Sequence, residues 1–407
     1  MIAEEDPEAA FPRSQERMAP ESERMALTVL MPCLDEAETV AACVRKARAA
    51  LDAMGILGEV LVADNGSTDG SVEIAAQEGA RVVQVVEKGY GSALRAGIEQ
   101  ARGQWIVMGD ADDSYDFSDL APFVEHLQGG SELVMGCRMP RGGGRVLPGA
   151  MPWKHRWIGN PILSFLGRLL FRTPVQDFHC GLRAFSREAI RRIDLRTTGM
   201  EFASEMVIKA SLAGLRISEV PVTLHPDGRS RAPHLRSWRD GWRHLRFMLL
   251  FSPRWLFLVP GAILVLLGLM VGLRLTAGPV FIRTLRFDTN TLLVCSMATI
   301  IGLQLCFFGL FTRIFAIQAG LLPDAGTSRK LDRVFSLERG VAAGLLLLAA
   351  GVVLFGRALL FWADVGFGQM SYPDSLRMVI PAVTLITVGV QVVFSSFFLS
   401  ILSLARR

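Results

Sequence analysis

Four long apolar stretches in the C-terminal part of this chain constrain its fold more than any other sequence feature. Each is close to or longer than the roughly 20 residues that an α-helix needs to cross a lipid bilayer. A buried helical bundle in a water-soluble protein is the alternative, but short polar loops separate the stretches, which favours the membrane. We therefore predict four transmembrane helices, at about residues 255–273, 291–312, 341–362 and 378–404.

The rest of the chain is charged and mixed in composition, and we divide it into three parts. Residues 1–25 are acidic, contain proline and lack an apolar core, so we expect a disordered tail and no signal peptide. Residues 26–227 predict a globular domain, and residues 228–254 a basic amphipathic segment beside the membrane. Residues 255–407 then form the membrane domain.

The basic residues of the loops predict an orientation. They concentrate between the second and third apolar stretches and at the C-terminus: Arg313, Arg329, Lys330, Arg333, Arg339, Arg406 and Arg407. Because such residues accumulate on the cytoplasmic side, we expect a multi-pass protein of the cell (inner) membrane. Its globular domain and both termini should be cytoplasmic.

The six cysteines show no metal or redox spacing, so we expect them to be reduced packing residues.

Two segments combine basic and aromatic residues in the way expected at an anionic membrane surface. Residues 228–254 carry arginines among tryptophans and phenylalanines, and residues 151–173 predict an amphipathic, cationic helix that contains Arg156. This helix should lie on the membrane or, alternatively, pack against the soluble domain. Nucleic-acid binding is the competing interpretation of residues 228–254, but no nucleic-acid motif accompanies them.

Strands and helices alternate along residues 27–109. Apolar strands are predicted at 27–33, 59–63, 81–86 and 104–109, with helices at 36–53, 68–78 and 91–102 between them. This alternation is typical of an α/β domain with a parallel sheet. It places the loops 32–36, 64–69 and 110–113 at the carboxyl ends of neighbouring strands, where such sheets bind ligands.

Two carboxylates, Asp110 and Asp112, follow the fourth predicted strand. Residues two apart on an extended segment project the same way. Both carboxylates can therefore approach one Mg²⁺ or Mn²⁺, the hard cations that accompany phosphates. An isolated Asp-x-Asp tripeptide is more often a solvated turn, so this interpretation depends on the neighbouring loops.

Two further loops fit a diphosphate ligand. Asp64 begins the run Asp-Asn-Gly-Ser-Thr-Asp-Gly-Ser and can accept hydrogen bonds from a nucleotide base or ribose. The alternative is a helix N-cap in which Ser67 or Thr68 satisfies free amides. Lys88 can offset diphosphate charge, and Gly89 permits close backbone approach. ATPase and dinucleotide-binding functions lack their sequence patterns.

Five motifs, in this order and spacing, resemble glycosyltransferase family 2, and specifically the dolichyl-phosphate mannose synthase type that acts on polyprenyl phosphates. They are Pro32-Cys-Leu-Asp-Glu36, the run that begins at Asp64, Lys88-Gly-Tyr-Gly91, Asp110-Ala-Asp112 and Asp177-Phe-His-Cys-Gly-Leu-Arg183. The resemblance covers about residues 27–250 and implies an α/β GT-A (Rossmann-like) domain. It also implies a nucleotide-diphosphate sugar, a divalent metal and inversion at the anomeric carbon.

The resemblance implies roles for individual residues. The donor would be bound by Pro32, Asp35, Glu36, Asp64, Lys88, Gly89 and Asp110, and the metal by Asp110 and Asp112. The acceptor would be bound by Arg138, Arg156, Asp177, Arg183 and Arg229, with Asp112, Arg138 and Arg183 as the catalytic residues. Arg138 and Arg183 could instead form surface ion pairs. Asp35 and Asn65 depart from the family's usual Asn and Asp, so the nucleotide base cannot be read from the sequence.

A polyprenyl phosphate is already an anion near neutral pH, so it can attack the anomeric carbon without a strong general base. We therefore expect sugar transfer to an undecaprenyl- or dolichyl-type phosphate at the cytoplasmic membrane face. A hydroxyl acceptor, as in a glycolipid or polysaccharide synthase, and a non-enzymatic lipid-sugar flippase or scaffold are the alternatives. The sequence is compatible with a homo-oligomer.

Glu201 and Glu205 either serve the site or form ordinary exposed pairs, for example with Lys209.

Overall fold

The computed structural model of the protein describes residues 25–230, 237–319, 322 and 336–404. Residues 1–24 of the tail predicted at 1–25 lie outside the described residues, as do the basic residues Arg329, Lys330, Arg333, Arg406 and Arg407. Packing divides the chain into two units. The first comprises residues 25–152, 180–199 and 216–230, and the second comprises residues 153–179, 200–215 and the described residues from 237 onward.

The first unit is built on a mixed sheet. Its strands are β1 (Leu27–Cys33), β2 (Gly58–Asp64), β3 (Arg81–Gln84), β4 (Trp105–Met108), β5 (Leu133–Cys137), β6 (Arg145–Val146), β7 (Arg183–Ser186), β8 (Ile217–Pro221) and β9 (Thr223–Leu224). Within the described part of the chain, seven of them form one sheet in the order β3-β2-β1-β4-β7-β5-β8, while β6 pairs with β9. Its helices are α1 (Val40–Met54), α2 (Ser71–Gln77), α3 (Tyr90–Gln100), α4 (Ala121–Gln128) and α6 (Arg187–Ile193).

The strands β3, β2, β1 and β4 run parallel, as the sequence predicts. In contrast, β7 runs antiparallel to both β4 and β5, which the sequence did not predict. Arg183, the first residue of β7, pairs with Met108, the last residue of β4. The antiparallel strand therefore brings Arg183 to the sheet edge where β4 ends.

The core of the first unit confirms the predicted buried strand at 27–33. Val29, Leu30 and Met31 are fully buried, as expected for a strand covered on both faces. All six cysteines lie in the described residues and form no disulfide. Burial raises the pKa of Cys33 to about 11 and that of Cys43 to about 12, so both thiols stay protonated at neutral pH.

The helix α2 begins at Ser71, later than the sequence predicts. The amide of Thr68 donates to Asp35 Oδ1 at 2.7 Å, and the hydroxyl of Ser67 accepts from the amide of Asp35 at 2.8 Å. The N-cap position is Gly70, without a side-chain cap. The alternative interpretation of this loop, an N-cap at Ser67 or Thr68, is therefore wrong, because both residues bind the loop after β1 instead. The helix α1 also begins later than predicted.

The second unit is α-helical apart from one hairpin, formed by β10 (Val280–Ile282) and β11 (Leu285–Phe287). Its helices are α5 (Asn160–Phe171), α7 (Phe202–Leu212), α8 (Ser237–Leu250), α9 (Val259–Thr276), α10 (Thr289–Gln318), α11 (Leu337–Asp364) and α12 (Tyr372–Leu404). Among the described residues, four segments are long and apolar enough to cross a membrane: Arg254–Thr276, Thr289–Gln318, Leu337–Asp364 and Tyr372–Ser403. The four predicted stretches are confirmed as helices of membrane-spanning length.

Small and polar residues pack these long helices together. A Cβ atom on Gly302 would lie 2.7 Å from the carbonyl oxygen of Gly261, so α9 and α10 are in close backbone contact. Gln391 Nε2 donates to Gln304 Oε1 at 3.1 Å. Both glutamines thus gain a partner in an apolar environment, where an isolated polar side chain is costly.

The division into units differs from the predicted boundary at residue 227. Residues 153–179 and 200–215 belong to the second unit, because α5 and α7 pack against α8. The rings of His179 and His244 lie 4.6 Å apart between centroids, and Ser204 Oγ lies 2.8 Å from His244 Nδ1. These buried polar contacts join segments that are distant in the sequence.

Candidate active site

Two oriented carboxylates follow β4. Asp110 Oδ1 accepts a hydrogen bond from the Tyr90 hydroxyl at 3.0 Å. Asp112 Oδ1 accepts from the amide and the hydroxyl of Ser114, at 3.1 and 2.6 Å. Neighbouring residues therefore hold both predicted metal ligands at the carboxyl end of the strand.

Burial makes the ionised form of Asp110, one member of this pair, unfavourable. Burial, and then the charge of Asp112, raise the pKa of Asp110 to about 6, although Tyr90, Arg229 and Arg138 act in the opposite direction. A raised carboxyl pKa means that the ionised form is destabilised, and a bound cation would relieve this. No three His, Cys, Asp or Glu side chains cluster for a metal in the described part of the chain. The pair instead fits a cation such as Mg²⁺ that is shared with substrate phosphates.

Arg229 lies directly on these carboxylates. Its Nη2 is 2.8 Å from Asp112 Oδ2 and 2.9 Å from Asp227 Oδ2, and its Nη1 is 3.0 Å from Glu36 Oε1. The structure thus places a predicted acceptor residue against a predicted metal ligand and a predicted donor residue. Residues 231–236, which continue the predicted basic segment at 228–254, lie outside the described residues.

Arg138 and Arg183 are both buried. Arg183 Nε donates to the carbonyl of Cys180 at 2.7 Å, and Arg138 Nη1 lies 3.4 Å from the Tyr115 hydroxyl. The alternative prediction of surface ion pairs is therefore wrong for both. Arg138 also lowers the pKa of Asp110, so its guanidinium acts on the carboxylate pair.

Gly181 makes a close backbone approach to the same pair. A Cβ atom at this position would lie 2.7 Å from Asp110 Oδ2 and 3.1 Å from the Tyr115 ring. The amide of Gly181 donates to the Tyr115 hydroxyl at 2.9 Å. A side chain here would have to displace the carboxylate, so the site requires glycine.

A cleft of about 650 Å³ lies beside β2 and β3, and both Asp64 and Lys88 line it. Both carboxylate oxygens of Asp64 accept from backbone amides, with Gly66 at 3.0 Å and Ser67 at 3.2 Å. Asp64 therefore shapes the turn that forms one wall of the cleft. Lys88 Nζ donates to the carbonyl of Asn65 at 2.7 Å, which holds the ammonium group over this turn.

Asn65 explains one departure from the family pattern. Its Nδ2 donates to the carbonyl of Glu87 at 2.8 Å and to that of Val85 at 3.2 Å, while its Oδ1 accepts from the amide of Gly89 at 2.7 Å. An ionised aspartate can only accept hydrogen bonds, so it could not make this set. Asn65 joins the loop after β2 to the loop that carries Lys88 and Gly89.

The loop after β1 completes the same edge of the sheet. Pro32 pairs with Ala63 within the parallel sheet, and Asp35 adopts a positive φ of 56°. The amide of Glu36 donates to Ser71 Oγ at 2.8 Å. The predicted donor and metal residues are therefore brought together on the ends of β1–β4 and the loops that follow them.

Arg156 and Asp177 belong to the second unit. The Arg156 guanidinium lies 5.3 Å from the ring centroid of Trp157, whose side chain is 66% exposed. Trp153 and Phe165 are exposed as well, as expected for an amphipathic segment. Asp177 is fully buried, and its Oδ1 lies 3.4 Å from the amide nitrogen of His179.

Glu205 and Lys209 form an ion pair at 2.7 Å in which both side chains are buried. The predicted pairing of Glu205 with Lys209 is therefore confirmed, but its predicted exposure is wrong, because α7 is covered on this face. Glu201 pairs instead with Arg243, at 3.4 Å. Burial makes the pair with Lys209 costly to break, since either charge would be left uncompensated.

Sequence reasoning missed several polar residues. Tyr90 stands inside the Lys88–Gly91 motif, so the motif itself was the signal that could have identified it. Ser204 and His244 are 40 residues apart and share no local pattern. Their contact could only be found from the packing of α7 against α8.

Comparison with protein families identifies two regions of the chain. The family described as Glycosyl transferase family 2 matches residues 28–194. The family described as Glycosyltransferase family 2 C-terminal transmembrane region matches residues 310–403. The first match covers the strands and loops that carry the carboxylate pair, and the second covers most of α11 and α12.

Individual relatives extend this result. The low-salt glycan biosynthesis hexosyltransferase Agl6 of Haloferax volcanii is 39% identical over 374 residues, which are 92% of this chain and 88% of the relative. The dolichyl-phosphate hexose transferase of the same organism is 33% identical over 40% of this chain and 68% of the relative. Among solved structures, the glucosyl-3-phosphoglycerate synthase of Mycobacterium tuberculosis in complex with Mn²⁺, UDP and glucosyl-3-phosphoglycerate is 22% identical. That match covers 56% of this chain and 78% of that chain, with a TM-score of 0.43.

Proposed function

Because the chain belongs to glycosyltransferase family 2, we propose that it transfers a hexose from a nucleotide-diphosphate sugar to a polyprenyl phosphate. The chain is a glycosyltransferase with an α/β GT-A domain and a C-terminal helical region. The finer parts of the proposal are the lipid acceptor, the divalent metal and inversion at the anomeric carbon.

One observation carries the proposal. Asp110 and Asp112 are held side by side at the end of β4, where burial raises the pKa of Asp110, in the unit that also contains the cleft lined by Asp64 and Lys88. A carboxylate pair of this kind suits a cation that binds together with a diphosphate. A module that only binds a neutral sugar has no need for it.

Asp110 and Asp112 would hold Mg²⁺ or Mn²⁺. When bound, the cation would neutralise the charge that grows on the leaving diphosphate. The residues of the chain do the rest. Asp64 and the Lys88-Gly89 turn bind the nucleotide, with Pro32, Asp35 and Glu36 on the adjacent loop. Tyr90 keeps Asp110 oriented.

Arg138 and Arg183 would attract the acceptor phosphate in this proposal. A phosphate needs no strong general base, so positive charge and alignment are the main requirements. Buried guanidinium groups meet them well, since they act in surroundings of low dielectric constant. Arg156 and Asp177 are proposed as further acceptor residues. Arg229 was predicted to bind the acceptor as well, but its guanidinium contacts Asp112 and Glu36, a predicted metal ligand and a predicted donor residue.

Three observations support a lipid acceptor. The similar Haloferax enzyme is named a dolichyl-phosphate hexose transferase. Four helices of the described chain could cross a membrane. Exposed aromatic residues also flank Arg156 in an amphipathic segment.

We further propose an arrangement in the cell. Residues 26–227 would form the catalytic domain, residues 228–254 would lie at the cytoplasmic surface of the cell membrane, and residues 255–407 would span it. Both termini would then be cytoplasmic. The basic residues that the sequence places between the second and third apolar stretches, among them Arg339, support this orientation.

The test is transfer by the purified full-length protein. It would be incubated with Mn²⁺ or Mg²⁺, undecaprenyl phosphate and a panel of uridine- and guanosine-diphosphate sugars, and the products would be identified by mass spectrometry. We expect a metal-dependent glycosyl-phosphoryl-lipid. Release of nucleoside diphosphate without this lipid would point to a hydroxyl acceptor, and no release by folded protein would point to a binding module.

Asp112→Asn gives the site-specific arm of this test. We expect transfer to fall by about 10²-fold or more, because charge stabilisation of this kind is worth that much, with little change in folding. Asp113→Asn is the matched control, since Asp113 pairs with Lys46 at 2.8 Å and has no assigned role. Metal-dependent turnover in Asp112→Asn at the wild-type rate would contradict the metal site.

A further inference from the structure

The positively charged guanidinium group of Arg229 lies among three carboxylates, where a metal ion could otherwise be attracted. It contacts Glu36, Asp112 and Asp227 through both terminal nitrogens, at 2.8–3.0 Å. The side chains of Arg229, Glu36 and Asp112 are only 14%, 9% and 12% exposed. These contacts are therefore largely shielded from water and stronger than exposed ion pairs.

The backbone around Arg229 is fixed at the same place. The amide of Gly228 donates to the carbonyl of Asp112 at 3.0 Å. The amide and hydroxyl of Ser230 donate to the carboxylate of Glu38, at 2.7 and 2.6 Å. The residues on either side of Arg229 are thus bound to the loops after β4 and β1. The guanidinium is held on Asp112 by its own side chain and by its neighbours.

A metal ion and Arg229 would compete for one oxygen atom. Asp112 Oδ1 already accepts two hydrogen bonds from Ser114, which leaves Oδ2 as the better metal ligand. Arg229 Nη2 lies 2.8 Å from that Oδ2. Two cations on one oxygen atom repel each other, so the guanidinium must withdraw before a metal ion binds there.

A nucleotide donor offers Arg229 another partner. The diphosphate carries its own negative charge, and guanidinium groups bind phosphate oxygens in a bidentate manner. Donor binding can therefore draw Arg229 away from Asp112 at little electrostatic cost. The oxygen becomes free at the moment when diphosphate oxygens are present to complete the coordination of the metal.

We propose that Arg229 is an exchangeable cation that makes metal and donor binding cooperative. It neutralises Asp112 and Glu36 in the donor-free enzyme and moves to the diphosphate when the donor arrives. This inference rests on the proposed function, because it takes Asp112 as a metal ligand. Arg229 thereby weakens binding of the metal alone and increases the effect of the nucleotide on metal affinity, as reciprocal linkage requires.

The test measures Mn²⁺ affinity of the full-length protein, by electron paramagnetic resonance or calorimetry, without nucleotide and with UDP or GDP. For Arg229→Gln we expect Mn²⁺ alone to bind about tenfold more tightly than to the wild type, within the usual range of coupling between sites. The factor by which nucleotide raises Mn²⁺ affinity should fall by a similar amount. An unchanged affinity for Mn²⁺ alone would overturn the proposal.

Lys46→Gln is the matched control. Lys46 Nζ lies 2.8 Å from Asp113 Oδ1, and Asp113 is the residue after Asp112. This variant therefore also removes one positive charge near the carboxylates. Mn²⁺ affinity should stay within about twofold of the wild type, because Coulomb effects of partly exposed charges are small. An equal gain in Lys46→Gln and Arg229→Gln would mean that net charge alone is responsible and would exclude displacement.

Arg229→Lys provides a second variant that keeps the charge. A lysine ammonium is a compact point charge and cannot reach all three carboxylates as the planar guanidinium does. We expect its Mn²⁺ affinity to lie between those of the wild type and Arg229→Gln, and this variant decides if Arg229→Gln does not fold. If the wild type binds no Mn²⁺ even with UDP or GDP, the proposed metal site fails. If it does bind and both variants match it, only the role of Arg229 fails.

Discussion

Replacing Asp110 by asparagine should stabilise the metal-free first unit at neutral pH. Burial and the charge of Asp112 raise the pKa of Asp110 from 3.8 to about 6. Between these values the folded state holds a proton that the unfolded chain has lost, so stability falls as pH rises through this window and is level above it. Because one pKa unit corresponds to about 1.4 kcal/mol, the ionised carboxylate costs up to about 3 kcal/mol. Asparagine keeps an acceptor for Tyr90 without the charge.

Hydrogen exchange of β1 and β4, measured by mass spectrometry on the full chain with a chelator present, would test this. At pH 7.5 these strands should exchange up to about 100-fold more slowly in Asp110→Asn, the equivalent of about 3 kcal/mol. At pH 4 the two proteins should differ little, because Asp110 is protonated in the folded wild type. Asp113→Asn should exchange faster, since it loses Lys46. Equal rates at pH 7.5, or equal slowing at both pH values, would refute the explanation by charge.

Three further substitutions test the packing around the site and among the long apolar helices. Tyr90→Phe removes a hydrogen bond that lowers the pKa of Asp110, so the acid limb of the pH profile of kcat/KM should move to higher pH. Gly181→Ala would place a Cβ atom 2.7 Å from Asp110 Oδ2, and a Mn²⁺ titration should show at least a tenfold loss of affinity in the presence of nucleotide. Gly389→Val would place a Cβ atom 2.7 Å from the carbonyl oxygen of Gly344. That overpacking should cost about 1–3 kcal/mol and speed hydrogen exchange in α12 but not in β1.

The parallel half of the sheet could be predicted because its strands are locally distinct. The run Leu27–Cys33 is a continuous apolar segment followed by polar loop residues, and the structure reproduces its bounds. The strand β7 could not be predicted in the same way, because the short run Arg183–Ser186 (Arg-Ala-Phe-Ser) lacks a continuous apolar pattern. Its direction depends on the strands on either side of it, which are distant in the sequence. Short strands of this kind are specified by their partners more than by their own pattern.

The candidate site shows the same limit. Asp110 and Asp112 could be paired from their spacing, because the period of an extended chain is local. The partner of Asp112 could not, since Arg229 lies 117 residues away in the sequence. The contact between Arg229 and Glu36 spans 193 residues. Sequence motifs therefore identified the acidic groups, and only the fold showed how their charge is balanced.

A site that binds a cation only with its substrate must also be stable without that cation. The proposed metal ligands meet this requirement in two different ways. Asp110 can keep a proton up to about pH 6, and Asp112 is paired with Arg229 and Ser114. Both arrangements are reversible, because a proton and a guanidinium can leave without breaking the fold. Asp110 and Asp112 would supply only part of the ligand shell, so the ion would depend on the diphosphate for further ligands. In the proposed reaction, the departing nucleoside diphosphate would therefore weaken the hold on the metal, and Arg229 could return to Asp112.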